Sequence, residues 1–190
     1  GDVPHASILY HAKLSFFFAG ISRRVSHQLI RNYVGADRDE EGAPSQESTR
    51  FTHHYGFFVE PPKYARNSKM QAHFAGSMEI AYGSYLRAVD LEVEQYRETH
   101  GGAEPKGTDK KLIYEAASSF LPHQAETSFV WTTNPAAIAK LCKERDNDAA
   151  DFEMRRFARK LKTVVVAHAP NLFPQAWMRE PHNDVTAQFR

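Results

Sequence analysis

One continuous helical pattern dominates the chain. From about Ser68 to His100, the residues Met70, Phe74, Met78, Ala81, Tyr85 and Val89 recur at helical spacing. The pair Gly101-Gly102 closes the run. Gly76 and Gly83 interrupt it, which either weakens the helix or marks close packing. The other elements are shorter. Between His11 and Phe18, "HAKLSFFF" alternates, with Ala12, Leu14, Phe16 and Phe18 on one side and Lys13 and Ser15 on the other, as in a half-buried strand. Gly20 is expected to end that strand, and Ser22 is placed to cap a helix over "RRVSHQLIRNYV". Ile21, Val25 and Leu29 make its apolar stripe. Arg24, Gln28 and Arg31 fall on a neighbouring face, so Gln28 and Arg31 point the same way.

A second strand is expected over "RFTHHYGFFVEP", stopped by Pro61 and Pro62. Thr108 can cap a helix carrying Leu112, Ile113, Ala116 and Phe120, which ends at Pro122. "ETSFVWTT" is strand-like. Asn134 as N-cap with Pro135 at the first helical position then opens "NPAAIAKLCKER", where Ile138, Leu141, Cys142 and Arg145 share a face. A last helix, roughly Ala149 to His168, packs through Phe152, Phe157, Leu161 and Val165. A few strands and several helices with no βαβ rhythm make an α+β chain, with a mixed sheet packed by helices. Its 190 residues are read as a single domain.

Composition excludes more than it asserts. Hydrophobic residues make up 42% and charged residues 25%, enough for the core of an ordinary globular protein. A net charge of +1 suggests neither a nucleic-acid coat nor a membrane-surface peptide, so any anion site has to come from local clustering. The single cysteine, Cys142, allows no intrachain disulfide and fits a reducing, cytoplasmic setting. Its place beside Leu141, one turn from Ile138, reads as a small core residue rather than a nucleophile. The longest apolar runs are too short to span a bilayer. "GDVPHASILYH" lacks a signal-peptide pattern, and patterned residues begin almost at once, so sequence upstream is expected. There is no GxGxxG fingerprint, Walker A loop, HExxH or CxxC. The histidines are scattered, and His53 and His54 on a strand would point to opposite faces, so no metal site is expected.

The chemistry concentrates in residues 31–51, "RNYVGADRDEEGAPSQESTRF". Ser45, Gln46, Ser48 and Thr49 offer donors and acceptors beside Arg50, whose planar fork suits phosphate. Irregular backbone there can aim several N–H groups at one anion. Arg31 lies upstream on the helix that leads into this segment. The plainer reading of the same residues is a solvated turn with a surface ion pair to "DRDEE".

Three ordered blocks resemble flavin-dependent thymidylate synthases. "ISRRVSHQLIRNYV" followed by "SQESTRF" is similar to that family's helix ending in Arg-His-Arg and its Ser-x-x-Glu/Gln-x-Ser-x-Arg segment. "HASILYHAKLSFFFAGISR" resembles the strand after a flavin-contacting His-x-Ser/Thr. "LPHQAETSFVWTTNP" with "KERDNDAADFEMRR" resembles the C-terminal block. The resemblance implies the family's fold, a homotetramer with FAD at subunit interfaces, and transfer of a one-carbon unit from methylenetetrahydrofolate to C5 of a uridine nucleotide, with NADPH reducing the flavin. Carried over by position, His5, Ser7, Arg31, Asn32, Tyr33 and Asn134 would be on the FAD side. Gln28, Gln46, Ser48, Thr49, Arg50 and Arg145 would hold the nucleotide. Arg50 with the backbone amides of 48 to 50 would take the phosphate. Arg145, facing the uracil carbonyls, and Arg31 would be the catalytic residues. No membrane and no nucleic-acid partner are implied.

The chain also departs from that pattern. Arg31-Asn32-Tyr33 stands where the family has Arg-His-Arg, so an imidazole and a positive charge are gone. An insertion of about seven residues, cheap in loop entropy, carries "DRDEEG" between the triplet and "SQESTRF". Ser118 stands where an arginine usually precedes Leu-Pro. Gln28, Arg31, Ser48, Arg50 and Arg145 all remain. The pattern suggests a shifted substrate, with room for a ribose 2′-hydroxyl, as in the branch that methylates UMP or dUMP for polyoxin-type nucleoside antibiotics. The alternatives are a strict dUMP thymidylate synthase and a non-catalytic nucleotide- or RNA-binding oligomer.

Overall fold

The computed structural model describes residues 6–33 and 44–173, with the backbone only at 6, 7 and 31–33. In chain order the helices are α1 (Ala6–His11), α2 (Arg23–Tyr33), α3 (Ser68–Thr99), α4 (Thr108–Ala117), α5 (Pro135–Arg145) and α6 (Phe152–His168). The strands are β1 (Leu14–Ser22), β2 (Pro44–Gln46) and β3 (Glu126–Thr133). They form one sheet in the order β1-β3-β2, so the architecture is α+β.

Side-chain pairs fix the register of β1 on β3. The hydroxyls of Ser15 and Thr132 lie 2.9 Å apart. Phe16 meets Trp131 at 6.3 Å between ring centroids, and Phe18 stacks on Phe129 at 4.8 Å. Each step forward on β1 meets a step back on β3, as in an antiparallel pair. The alternation expected for β1 holds through Phe18, but the strand does not stop at Gly20. That glycine takes φ +70° inside β1, and the inward–outward alternation slips there, with Ala19 and Gly20 both exposed. A left-handed residue within a strand shifts the pleat in this way without ending the pairing.

The described residues fall into two compact units: those within 1–17, 28–44 and 130–190, and those within 18–27 and 45–129. Strands β1 and β3 run through both. In the first unit, α5 packs on α6 and on α1. Asn134 caps α5 as expected, its Oδ1 accepting the Ala137 N–H at 2.8 Å with Pro135 at the first turn. Ile138, Leu141 and Cys142 are buried beneath it. Helix α6 begins at Phe152, slightly later than the pattern predicts, because Asp151 accepts from the N–H groups of Glu153 and Met154. The Cys142 Sγ–H points to the Ala158 carbonyl at 3.6 Å, and the side chain is 2% exposed. The thiol is a core residue.

In the second unit, Ser22 caps α2, its Oγ accepting the Val25 N–H at 3.2 Å. The long helix α3 matches its expected span. Asn67 caps it, and Gly101 and Gly102, both at positive φ, end it. Only Tyr85 on this helix is fully buried. A Cβ at Gly76 or Gly83 would meet nothing within 4 Å, so neither glycine marks close packing among the described residues. Helix α4 starts at Thr108, but its N-cap is Gly107 at φ +54°, with no side-chain cap. Thr108 does not play the capping role expected of it.

The second strand expected over residues 50–61 does not form. Only Phe58 bridges to Ala125. The backbone groups that a ladder would use go elsewhere. Phe51 and Thr52 donate to the Ser48 carbonyl, the His54 N–H donates to the Tyr85 hydroxyl at 3.2 Å, and the Gly56 N–H donates to His54 Nδ1 at 3.1 Å. Gly56 itself takes φ +80°, and a Cβ there would lie 2.8 Å from the Tyr82 ring. Replacing Gly56 with alanine is expected to cost about 1–3 kcal/mol through left-handed strain and the displaced ring. Denaturant midpoints at unchanged slope would check this.

Candidate anion site

The polar segment singled out in the sequence is built within the second unit, at the end of β2. Four hydrogen bonds anchor it. The Gln46 Nε2 donates to Thr127 Oγ1 at 3.2 Å. The Glu47 N–H donates to the Ser128 carbonyl at 3.0 Å, while Ser128 Oγ donates to Glu47 Oε2 at 3.2 Å. From α2, Arg23 Nη2 donates to the Glu47 carbonyl at 3.1 Å. Burial pushes the Arg23 pKa down and the Glu47 carboxylate partly offsets it. An arginine stays protonated regardless, so Arg23 is a fixed charge pinning the backbone of Glu47.

After this anchor the chain turns tightly on Ser48. Its carbonyl accepts from the N–H groups of Phe51 and Thr52 and from the Thr52 hydroxyl at 3.0 Å. Its Oγ accepts the Arg50 N–H at 3.3 Å. A hydroxyl bonding its own backbone two residues on is a standard turn device. One consequence is that the Arg50 amide, one of the three amides assigned to the phosphate, already has a partner. The Arg50 side chain projects from the turn, half-exposed, and its Nη2 lies 2.7 Å from Glu115 Oε2 on α4. So the ion pair seen at Arg50 among the described residues is with Glu115; the acidic run at 37–41 lies outside the described residues. One turn before Glu115, Lys111 Nζ sits 4.7 Å over the Phe51 ring.

Behind the turn, the segment is held by aromatic rings. His53 and His54 do not face opposite ways. Their ring centroids lie 5.4 and 6.4 Å from that of Tyr85, because the backbone here is not a strand. The Tyr85 hydroxyl also contacts His53 Nδ1 at 3.2 Å. His54 is 8% exposed and its Nδ1 accepts from Gly56, so the ring carries its proton on Nε2. Burial, then the Arg23 cation, push its pKa below the usual histidine value, with Glu47 pulling the other way and His53 adding to the depression. Tyr85 is pushed up, chiefly by burial. A buried neutral histidine stabilises the fold fully above the unfolded value of about 6.5. That contribution is lost as pH falls from there through the lower folded value, because the unfolded chain binds the proton first. The stability advantage of the native chain over a His54→Leu variant is therefore expected to shrink between about pH 7 and pH 5. Urea melts across that range would check it.

The remaining sequence-derived residues belong to the first unit. Gln28 is half-buried on α2, beside the buried Leu29. Arg31, Asn32 and Tyr33 continue that helix, described as backbone only, as is Ser7 on α1. His5 and residues 34–43 of the insertion at 34–44 lie outside the described residues. Asn134 is fully buried, with its Oδ1 committed to the α5 cap. Arg145 is half-buried in the last turn of α5, where the helix dipole favours a cation. The structure thus gathers Gln46, Ser48, Thr49 and Arg50 in one unit, and Gln28, Arg31, Asn32, Tyr33, Asn134 and Arg145 in the other. Ser118 follows α4, and its hydroxyl donates to the Glu115 carbonyl at 2.7 Å. Among the described residues, no group of three or more His, Cys, Asp or Glu side chains could hold a metal ion, and no helix is long and apolar enough to cross a membrane.

Sequence reasoning missed Glu115, Lys111, Arg23 and Tyr85 as parts of this arrangement. Nothing in the local pattern around Glu115 distinguishes it from any exposed helical glutamate.

The chain is 31% identical over 177 residues to a protein named flavin-dependent thymidylate synthase from Mycobacterium sp. (strain KMS), covering 90% of this chain and 65% of the relative. A protein of the same name from Clostridium tetani is 27% identical over 170 residues, covering 89% of this chain and 64% of its own length. Another, from Mycobacterium leprae (strain TN), is 30% identical over 175 residues. The chain spans 65% or less of the length of the first two relatives. The family described as thymidylate synthase complementing protein matches residues 2–171, and the chain belongs to that family, Thy1.

Proposed function

We propose that this chain is a flavin-dependent methylase that places a methyl group on C5 of a uridine monophosphate, with methylenetetrahydrofolate as one-carbon donor and NADPH as reductant. The observation that carries the reading is the Ser48 turn, which presents the half-exposed Arg50 guanidinium from a backbone pinned on both sides. A fixed cation on a rigid turn suits a terminal phosphate. Gln28, Gln46, Ser48, Thr49 and Arg50 would hold the nucleotide, and Arg145 would polarise the uracil carbonyl edge so that C5 becomes nucleophilic. Cys142 is buried, so activation by a thiol adding at C6 is not proposed.

For the cofactor, the family relatives are named for flavin, and FAD is the form proposed here. Of the residues assigned to it, His5, Ser7, Arg31, Asn32 and Tyr33 combine a fixed cation with hydrogen-bonding side chains, a donor set that fits a pyrophosphate-bearing group; Asn134, fully buried with its Oδ1 on the α5 cap, would serve by holding the start of that helix. The chemistry that group supplies when bound is two-electron reduction. A single thymidylate-synthase-like domain, assembled as a cytoplasmic homotetramer, completes the reading. In support of assembly, α3 buries only Tyr85 and exposes Ile80 and Leu91.

Acceptance of UMP as well as dUMP, and a place in the polyoxin-type nucleoside branch, are the finer parts of the proposal. They rest on Asn32, Tyr33, the insertion at 34–44 and Ser118. The relatives' name favours dUMP alone. Mass analysis of UMP and dUMP after incubation with FAD, NADPH and methylenetetrahydrofolate separates the readings. A mass gain on both supports the proposal, and a gain on dUMP alone leaves a strict thymidylate synthase. No gain on either, with no flavin absorbance after adding FAD, supports a non-catalytic nucleotide- or RNA-binding oligomer.

A further inference from the structure

We propose that Glu115 is the resident counterion of the Arg50 anion site, and that a phosphate enters by exchanging with it. The inference rests on the reading of Arg50 as the phosphate-binding residue. Arg50 Nη2 is 2.7 Å from Glu115 Oε2, and both side chains are close to half-exposed, at 46% and 45%. The cation is therefore neutralised but open to solvent. A phosphate dianion on the same guanidinium would lie close to the Glu115 carboxylate, and like charges at that range repel, so the two compete for the cation. The carboxylate has somewhere to go. Lys111 lies one helical turn earlier on α4, at the spacing where an ammonium and a carboxylate meet. Its Nζ already sits over Phe51, the residue after Arg50.

Glu115 then acts as a specificity-determining residue. It sets a threshold that a phosphate passes by outcompeting a carboxylate, while an uncharged nucleoside gains nothing from Arg50. The exchange also keeps the exposed arginine paired when no nucleotide is bound, which lowers its attraction for passing anions. An exposed pair of this kind is weak, so the barrier it raises is modest.

The test is a set of affinities for UMP and for uridine, measured on the full chain as wild type, E115Q, R50A and the double variant. E115Q is expected to bind UMP about two- to fivefold more tightly, to leave uridine unchanged, and to have no effect once Arg50 is gone. Weaker or unchanged UMP binding by E115Q would overturn the proposal, the former by making Glu115 an organiser of Arg50. So would a gain that persists in the R50A background, since that would be a general charge effect. If R50A alone leaves UMP affinity unaltered, the phosphate assignment itself fails, and the exchange with it. Circular dichroism and melting temperatures establish that each variant is folded.

Discussion

Replacing Arg50 with alanine is expected to lower the affinity for a uridine monophosphate by about tenfold to about a hundredfold, corresponding to about 1.5–3 kcal/mol for a charge-assisted contact. The arginine is half-exposed and reaches its present partner across the surface, so truncation leaves no cavity. The turn beneath it survives, because Ser48 bonds the Arg50 backbone rather than its side chain. The loss therefore reads as a missing phosphate contact, not as unfolding. It is smaller than the gross strength of the contact, because the native site gives up the Glu115 pair when it binds. Titration calorimetry with UMP and with uridine checks the point. The affinity loss belongs to UMP, and a matching loss for uridine would place the phosphate elsewhere.

Replacing Arg145 with lysine is expected to lower kcat by about a hundredfold to a thousandfold, the scale of removing one aligned donor from a developing oxyanion. The substitution keeps the positive charge that suits the last turn of α5 but loses the planar fork. Arg145 is half-buried next to a turn that carries the buried Leu141 and Cys142, so alanine would confuse packing with chemistry, and lysine does not. Flavin absorbance and nucleotide affinity measured alongside turnover separate the roles. A fall in kcat with flavin content retained supports polarisation of the uracil. Full activity in the lysine variant would mean that charge alone is enough there.

Where an element is specified by neighbours in sequence, the sequence reveals it. Strand β3 matches "ETSFVWTT" because its alternation is short-range, and α5 starts where Asn134-Pro135 says it should. Helix α3 was legible end to end because Gly101 and Gly102 take the positive φ that stops it. Residues 50–61 misled for the opposite reason. Their β-rich composition is real, but the His54 N–H finds a phenol on α3 instead of a neighbouring strand, and Gly56 turns the chain against Tyr82. No local pattern encodes a partner 31 residues away. The candidate site divides in the same manner. The packet around Ser48 and Arg50 was visible as composition, because turns and anion sites use the same side chains. Its anchor through Arg23 and its counterion Glu115 were not, since tertiary packing alone brings α2 and α4 to that turn.

The burial of Cys142 has a practical consequence. It is the chain's only thiol, and it lies 2% exposed with its hydrogen aimed at a carbonyl of α6. A thiol-specific reagent can reach it only when α5 and α6 part. Under conditions where reclosing outpaces labelling, the modification rate follows the equilibrium population of that open form. The protein thus carries its own site-specific probe of local opening, one that reads the helix pair bearing Arg145 without any engineered label.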